Sequence, residues 1–269
     1  MSELLKVENL HVTFHTYAGE VKAVRGVSFS LDKGEVLAIV GESGCGKTVT
    51  SKAIMRLLDR TSGEIDKESV IELFGKNMVT LPKRELNKIS GKEISMIFQD
   101  SMTSLNPTMT IGKQIMENIL VHEKVGKREA KKRALELLKL VEIPNAEERL
   151  NNYPHQMSGG MRQRAMIAVA LACNPKVLIA DEPTTALDVT IQAQLMDLLK
   201  NIQKKTEMAV ILVTHDLGVV ANFADRVQVM YAGAVMERGS VHDIFKAPRH
   251  PYTCALLSSM PGRIQESKS

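Results

Sequence analysis

Residues 41–48, Gly-Glu-Ser-Gly-Cys-Gly-Lys-Thr, follow the pattern G-x-x-x-x-G-K-[ST]. The pattern cradles phosphate only when it lies between a strand and a helix. Residues 36–40 are a continuous apolar run that reads as a buried strand, and residues 49–58 lack Gly and Pro and read as a helix. Glycines let backbone N–H groups close around phosphate oxygens, and the helix start adds partial positive charge. Lys47 would bridge the β- and γ-phosphates, and the Thr48 hydroxyl would reach Mg²⁺. Average residue usage gives such a pattern by chance in roughly one chain of this length in a hundred. The context therefore favours a nucleotide site. It constrains the fold to strand–loop–helix α/β architecture and leaves the use of the nucleotide open.

At 269 residues the chain fits one large domain or a core with an insertion. Net charge is +4, from 35 basic and 31 acidic residues. That balance does not by itself argue for nucleic acid, and the mild excess suits the vicinity of an anionic membrane. Trp is absent and aromatics are few, against a broad base-stacking surface. Cys45, Cys173 and Cys254 are widely spaced, so neither a disulfide framework nor a zinc site is expected, and a reducing cytosol is the simplest compartment. The first residues lack a signal peptide's basic start and apolar core, and no run reaches 18 apolar residues. Any membrane role is expected to come through a partner.

Residues 4–14 and 21–31 alternate apolar and polar, the period of half-exposed strands, with a turn over 16–20. Residues 70–75 read as an edge strand ending in a turn. From about residue 84 to 141 helical periods dominate. Ala130, Ala134, Leu137, Leu138 and Val141 share one helix face, and Lys127, Arg128, Lys131, Lys132 and Arg133 lie opposite. A nucleic-acid patch is the sharper reading of that basic face. A solvated face is favoured several-fold, because Glu129 and Glu136 interleave. Residues 176–181 and 209–214 are apolar and β-branched, as strands buried on both faces are, with a helix expected over 189–204 between them. Residues 227–231 and 234–237 flank Ala232-Gly233 as a hairpin.

Polar residues at the ends of these strands carry the chemistry. Asp181 and Glu182 close an apolar strand, where α/β folds bind ligands. Asp181 is placed to hold Mg²⁺ and Glu182 to polarise water for in-line attack. An isolated Asp-Glu would be a strand-ending turn; the upstream phosphate loop reverses that preference. His215 ends the next strand and can donate to a γ-phosphate oxygen, with a capping or core histidine as the even alternative. Gln99 ends another strand-like run, and its amide could touch Mg²⁺ or the attacking water.

Residues 157–164, Met-Ser-Gly-Gly-Met-Arg-Gln-Arg, open a second glycine-started helix, expected over 161–172. One phosphate loop already satisfies a nucleotide. A second serves best over a nucleotide held by another subunit, which implies a head-to-tail dimer with two sites.

Taken in order, these motifs resemble those of an ATP-binding cassette ATPase over nearly the whole chain. Residues 41–48 match the family's Walker A loop, Gln99 the Q-loop, and residues 157–161 the signature. Residues 177–182 match Walker B with its catalytic glutamate, residues 185–188 the D-loop, and His215 the switch histidine. Met157 and Met161 depart from the common Leu-Ser-Gly-Gly-Gln, while Ser158 and Gly160 are kept. The resemblance implies an α/β P-loop NTPase core with a parallel sheet, an N-terminal antiparallel β-subdomain and an inserted α-helical subdomain. Its expected boundaries are 1–99 with 158–246 for the core, 100–157 for the helical subdomain and 247–269 for a tail. It implies ATP and Mg²⁺ as cofactors. Nucleotide contacts would come from Gly41, Ser43, Gly44, Cys45, Gly46, Lys47, Thr48 and Val49, and from an adenine-stacking aromatic at Phe14, with Tyr17 as competitor. Metal contacts would come from Thr48, Gln99 and Asp181, and catalysis from Glu182, His215 and Gln99. Ser158, Gly159, Gly160 and Met161 would act in trans, with Asp188 in the D-loop.

A narrower resemblance, to the oligopeptide/dipeptide/nickel importer subfamily, rests on residues 99–107, the Ser-Gly-Gly-Met-Arg-Gln-Arg form and residues 247–253. It implies a partner ATPase, usually a different chain, two transmembrane permease subunits, an external solute-binding protein and a place on the cytoplasmic face of the membrane. Longer members carry an iron–sulfur extension, and none is expected here. The rivals are an exporter ATPase, a soluble nucleic-acid ATPase and a cassette that binds without hydrolysing. Intact Lys47, Asp181, Glu182 and His215 argue against the last, and no nucleic acid is expected.

Overall fold

In the computed structural model, residues 3–59, 63–184 and 187–259 are described, with 101 and 102 by their backbone alone. Thr185 and Ala186 of the expected D-loop, and the expected tail from residue 260 onward, lie outside them. The chain divides into two units, Met1–Leu81 with Ala209–Ser269, and Pro82–Met208.

The first unit opens with two 14-residue strands, β1 (Glu3–Thr16) and β2 (Gly19–Asp32), then β3 (Val36–Val40), α1 (Lys47–Ile54), β4 (Gly63–Ile65), β5 (Val70–Leu73) and the short β6 (Lys76–Asn77). β1 and β2 pair antiparallel, with Phe14 opposite Val21, and Leu5, Val7, Leu10, Val12, Val24, Val27 and Leu31 are buried. The antiparallel sheet runs β2-β1-β5-β6, with β4 on β1. β3 is buried along its whole length, as its unbroken apolar run requires. Helix α1 is shorter than residues 49–58. It starts at Lys47 and gives way at Arg56, which takes a left-handed φ of 55°. The Arg56 guanidinium donates to the carbonyls of Met78 at 2.7 Å and of Val79, a capture that local propensity does not encode.

The second unit contains α2 (Lys83–Ile89), β7 (Ile94–Ile97), α3 (Ser101–Ser104), α4 (Ile111–His122), α5 (Lys127–Leu140), α6 (Ala146–Arg149), a 3₁₀ turn (Pro154–Gln156), α7 (Gly159–Ala170), β8 (Val177–Asp181) and α8 (Val189–Thr206). β7 and β8 are parallel and fully buried. The apolar face of α5 is buried at Ala130, Ala134, Leu137 and Leu138, followed by Val141. Its opposite face is exposed at Lys127, Arg128, Lys131 and Lys132. Arg133 departs from that face. Its guanidinium grips both carboxylate oxygens of Glu123, at 2.9 Å through Nη2, and donates to Ala172 O at 3.2 Å. Helix α7 starts two residues before the expected 161 because Ser158 caps it, accepting from Met161 N at 3.3 Å.

The chain then returns to the first unit through β9 (Ala209–Thr214), α9 (Leu217–Phe223), β10 (Arg226–Tyr231), β11 (Ala234–Ser240), α10 (Val241–Lys246) and α11 (Pro251–Ser258). Strands β10, β3 and β9 are parallel neighbours in that order, and β11 is antiparallel on β10. The β10–β11 turn has positive φ at both central residues, 44° at Ala232 and 83° at Gly233, the arrangement that matches the twist of a hairpin.

Candidate active site

In the first unit the loop over residues 41–48 joins β3 to α1. Its shape depends on two glycines. Gly41 has φ 153°, and a Cβ there would lie 2.2 Å from Met230 O. Gly46 has φ 102°, and its Cβ would lie 2.5 Å from Ala23 O. Both obstacles are backbone atoms, so neither can move aside. The hairpin turn floors the loop: Gly233 N donates to Cys45 O at 2.9 Å, and Gly233 O accepts from Arg25 N at 2.7 Å. Lys47 is 4% exposed, and its ammonium donates to Gly41 O and Glu42 O, both at 2.8 Å. Burial pushes the Cys45 thiol up despite the ammonium beside it, so it stays protonated at neutral pH. Ser43 and Gly44 are exposed at the apex, and Thr48 and Val49 are half-buried in the first turn of α1. The positive end of that helix adds to the loop's affinity for anions.

Three further expected residues, His215, Phe14 and Tyr17, belong to this unit. The β3/β9 register sets Val40 opposite Thr214, which brings Gly41 and His215 to one carboxyl edge. His215 is exposed, and the helix cap is Asp216, whose carboxylate accepts from Gly218 N and Val219 N at 2.8 and 3.1 Å. The histidine is thus neither a cap nor a core residue. Of the two candidate aromatics, Phe14 is half-buried on β1 against Gly63, where a Cβ would come within 2.9 Å of its ring. Tyr17 stands fully exposed in the β1–β2 turn.

In the second unit, β8 delivers Asp181, 1% exposed, and then Glu182. Glu182 takes a left-handed φ of 47°, a conformation unusual for a non-glycine residue. The parallel register pairs Ile97 with Ala180, so residues two further along each strand emerge at one edge. Gln99 Nε2 donates to Glu182 Oε2 there, at 3.0 Å. Helix α7 starts nearby in the same unit: Gln163 Nε2 donates to the carbonyl of Pro183, the residue after Glu182. A Cβ at Gly160 would lie 3.1 Å from Ile191 on α8, so the glycine permits close approach of the two helix starts. Asp188 caps α8, accepting from Ile191 N at 2.9 Å. These contacts tie the start of α7, through Gly160 and Gln163, to the segment after β8 and to the start of α8 that Asp188 caps. Among the described residues no group of three or more His, Cys, Asp or Glu side chains could hold a metal.

Sequence reasoning missed Tyr252, whose hydroxyl accepts from Glu42 N at 3.2 Å. The Pro-Tyr-Thr run in which it lies was visible only as a subfamily feature, and nothing in it points to the phosphate loop.

Known proteins resemble this chain over most of its length. Residues 24–185 match the family model described as ABC transporter, and residues 236–268 match the oligopeptide/dipeptide transporter C-terminal region. The oligopeptide transport ATP-binding protein OppD of Bacillus subtilis is 60% identical over 261 residues, which cover 97% of this chain and 73% of that protein. The dipeptide transport ATP-binding protein DppD of Lactococcus lactis is 59% identical, covering 96% and 74%. Among solved structures, the dimeric ABC transporter cassette MJ0796 in a post-hydrolysis state bound to ADP and phosphate superposes with a TM-score of 0.79 at 30% identity, over 88% of this chain and 99% of that one. A phosphate loop in its strand–helix setting, a family match over more than half of the chain and relatives near 60% identity agree: this chain belongs to the ABC transporter ATPase family.

Proposed function

We propose that the chain is the ATP-hydrolysing subunit of an importer for oligopeptides or dipeptides. The observation that carries the cargo is the C-terminal match, residues 236–268, which lies apart from the general ATPase motifs. The relatives named above transport oligopeptides and dipeptides, which favours peptides over a nickel or metal complex. No helix among the described residues is long and apolar enough to cross a membrane. The proposed complex adds two permease subunits and a solute-binding protein that delivers cargo. The ATPase would work on the cytoplasmic face. We assign residues 1–99 and 158–246 to the nucleotide-binding core, 100–157 to the helical lobe that meets the permeases, and 247–269 to the tail.

The phosphate loop would hold the β- and γ-phosphates through backbone N–H groups, with Lys47 exchanging loop carbonyls for phosphate oxygens. The buried Asp181 carboxylate, the Thr48 hydroxyl and the Gln99 amide are hard oxygen donors that fit Mg²⁺, and their small number suits a cation held mostly by nucleotide and water. Mg²⁺ would neutralise charge on the phosphate oxygens. Glu182 would accept a proton from water as that water's oxygen bonds to the γ-phosphorus and the bond to the bridging oxygen breaks, giving ADP and phosphate. Gln99 would orient the Glu182 carboxylate, and His215 would donate to a γ-phosphate oxygen. Phe14 or Tyr17 would stack on adenine. Ser158, Gly159, Gly160 and Met161 would close over the nucleotide of a head-to-tail partner, with Asp188 at that interface. The MJ0796 cassette, itself a dimer, supports this arrangement.

The test is reconstitution with permeases and binding protein in proteoliposomes. Peptide-dependent ATP hydrolysis with peptide accumulation is expected. Stimulation by a nickel complex and not by peptides would overturn the cargo assignment.

A further inference from the structure

Helix α11 is docked by a series of contacts that leads to the phosphate loop. Glu237 on β11 accepts backbone N–H groups of Arg249 and His250, at 2.8 and 3.1 Å, and so fixes where the helix begins. His250 Nδ1 caps the helix by accepting from Tyr252 N at 3.1 Å. Tyr252 then lays its ring against Tyr231, centroids 4.7 Å apart and tilted by 48°, and Tyr231 is the last residue of β10 before the turn that floors the loop. The Tyr252 hydroxyl accepts from Glu42 N, and the Glu42 carbonyl accepts from Lys47 Nζ. Both sides of Glu42 are therefore engaged, one by a residue 210 positions away.

We propose that Tyr252 is a positioning residue for the phosphate loop, and that Glu237, α11 and Tyr252 form a strut that sets nucleotide affinity. The physical reason is preorganisation. A loop held at its second residue loses less conformational freedom when phosphate enters, so the strut strengthens binding without touching the reacting atoms. Its effect falls on ATP and ADP alike, because Glu42 precedes the part of the loop that meets the γ-phosphate. Turnover at saturating ATP does not depend on it, because binding that is uniform in ground and transition states lowers KM and leaves kcat unchanged.

The test is Tyr252→Phe in the full chain, which keeps the ring on Tyr231 and removes the hydroxyl. The reporters are a fluorescent ATP analogue, an ADP competition, steady-state hydrolysis and amide exchange. Affinity for both nucleotides falls about fivefold, the size that one ordinary hydrogen bond gives. KM rises in parallel, kcat stays within about twofold, and the Glu42 amide exchanges faster while the melting temperature falls by no more than about 4 °C, the size that one hydrogen bond gives. Glu237→Gln, with Tyr252 intact, weakens binding in the same direction, and the double variant is no weaker than the worse single one. Unchanged affinity in Tyr252→Phe, or a loss of kcat and melting temperature together, would overturn the proposal. Additive effects of the two substitutions would overturn the shared strut.

Discussion

Gln99 Nε2 donates a 3.0 Å hydrogen bond to Oε2 of Glu182, across two parallel strands that lie 83 positions apart in sequence. The amide fixes the orientation of the carboxylate that the proposed reaction asks to meet a water. If Glu182 is the base, Glu182→Gln keeps shape and bulk and loses the proton acceptor. ATP binding is retained and hydrolysis falls about a hundred- to ten-thousandfold, the range of a general base. Single-turnover hydrolysis with separate measurement of nucleotide affinity checks it, and normal turnover would remove Glu182 from that role.

The same pair predicts an effect of Gln99 on turnover. Gln99→Leu removes the amide that donates to Glu182 and adds no charge. kcat falls at least about fivefold, the size of one lost hydrogen bond. Steady-state hydrolysis at saturating ATP checks it, and an unchanged kcat would show that Gln99 does not hold the base during turnover.

Some of this was legible from local chemistry alone. The loop at 41–48 announces itself because its glycines and lysine are contiguous. Asp181 and His215 stand out as polar residues ending apolar runs. The Gln99–Glu182 contact does not, because it depends on the β7/β8 register. The end of α1 was hidden because Arg56 is held by carbonyls of Met78 and Val79. Helical period put Arg133 on the solvated face of α5, and Glu123, which precedes the helix, takes it from there. Each miss is a partner outside the element overriding a local pattern.

That ion pair carries a stability prediction. The hydrogen-bonded Arg133 guanidinium holds the Glu123 carboxyl below its ordinary value, with burial opposing. A lowered folded value gives stability that is present above the unfolded value, near 4.5, and is lost as pH falls through the folded one. Glu123→Gln should therefore cost up to about 1 kcal/mol at pH 7, as a partly exposed pair does. The difference from the parent should shrink steadily below pH 4.5. Thermal melts of both proteins at pH 7 and in acid check it, and a difference that grows in acid would reverse the assignment.

Ser158 is the residue on which stability and function should separate. Its hydroxyl caps α7 by accepting from Met161 N, and the proposed function asks the same hydroxyl to reach a partner's nucleotide. Ser158→Ala removes both roles, and the lost cap alone costs about 1 kcal/mol. Ser158→Asp keeps an acceptor for the cap and adds a negative charge, which suits the helix start but repels a phosphate. The aspartate variant should melt at or above the alanine variant. In both, ATP-driven dimerisation in a Glu182→Gln background should be lost, more completely with aspartate. Dimerisation measured by light scattering decides the matter. An aspartate variant that dimerises with ATP as the parent does would confine Ser158 to capping α7.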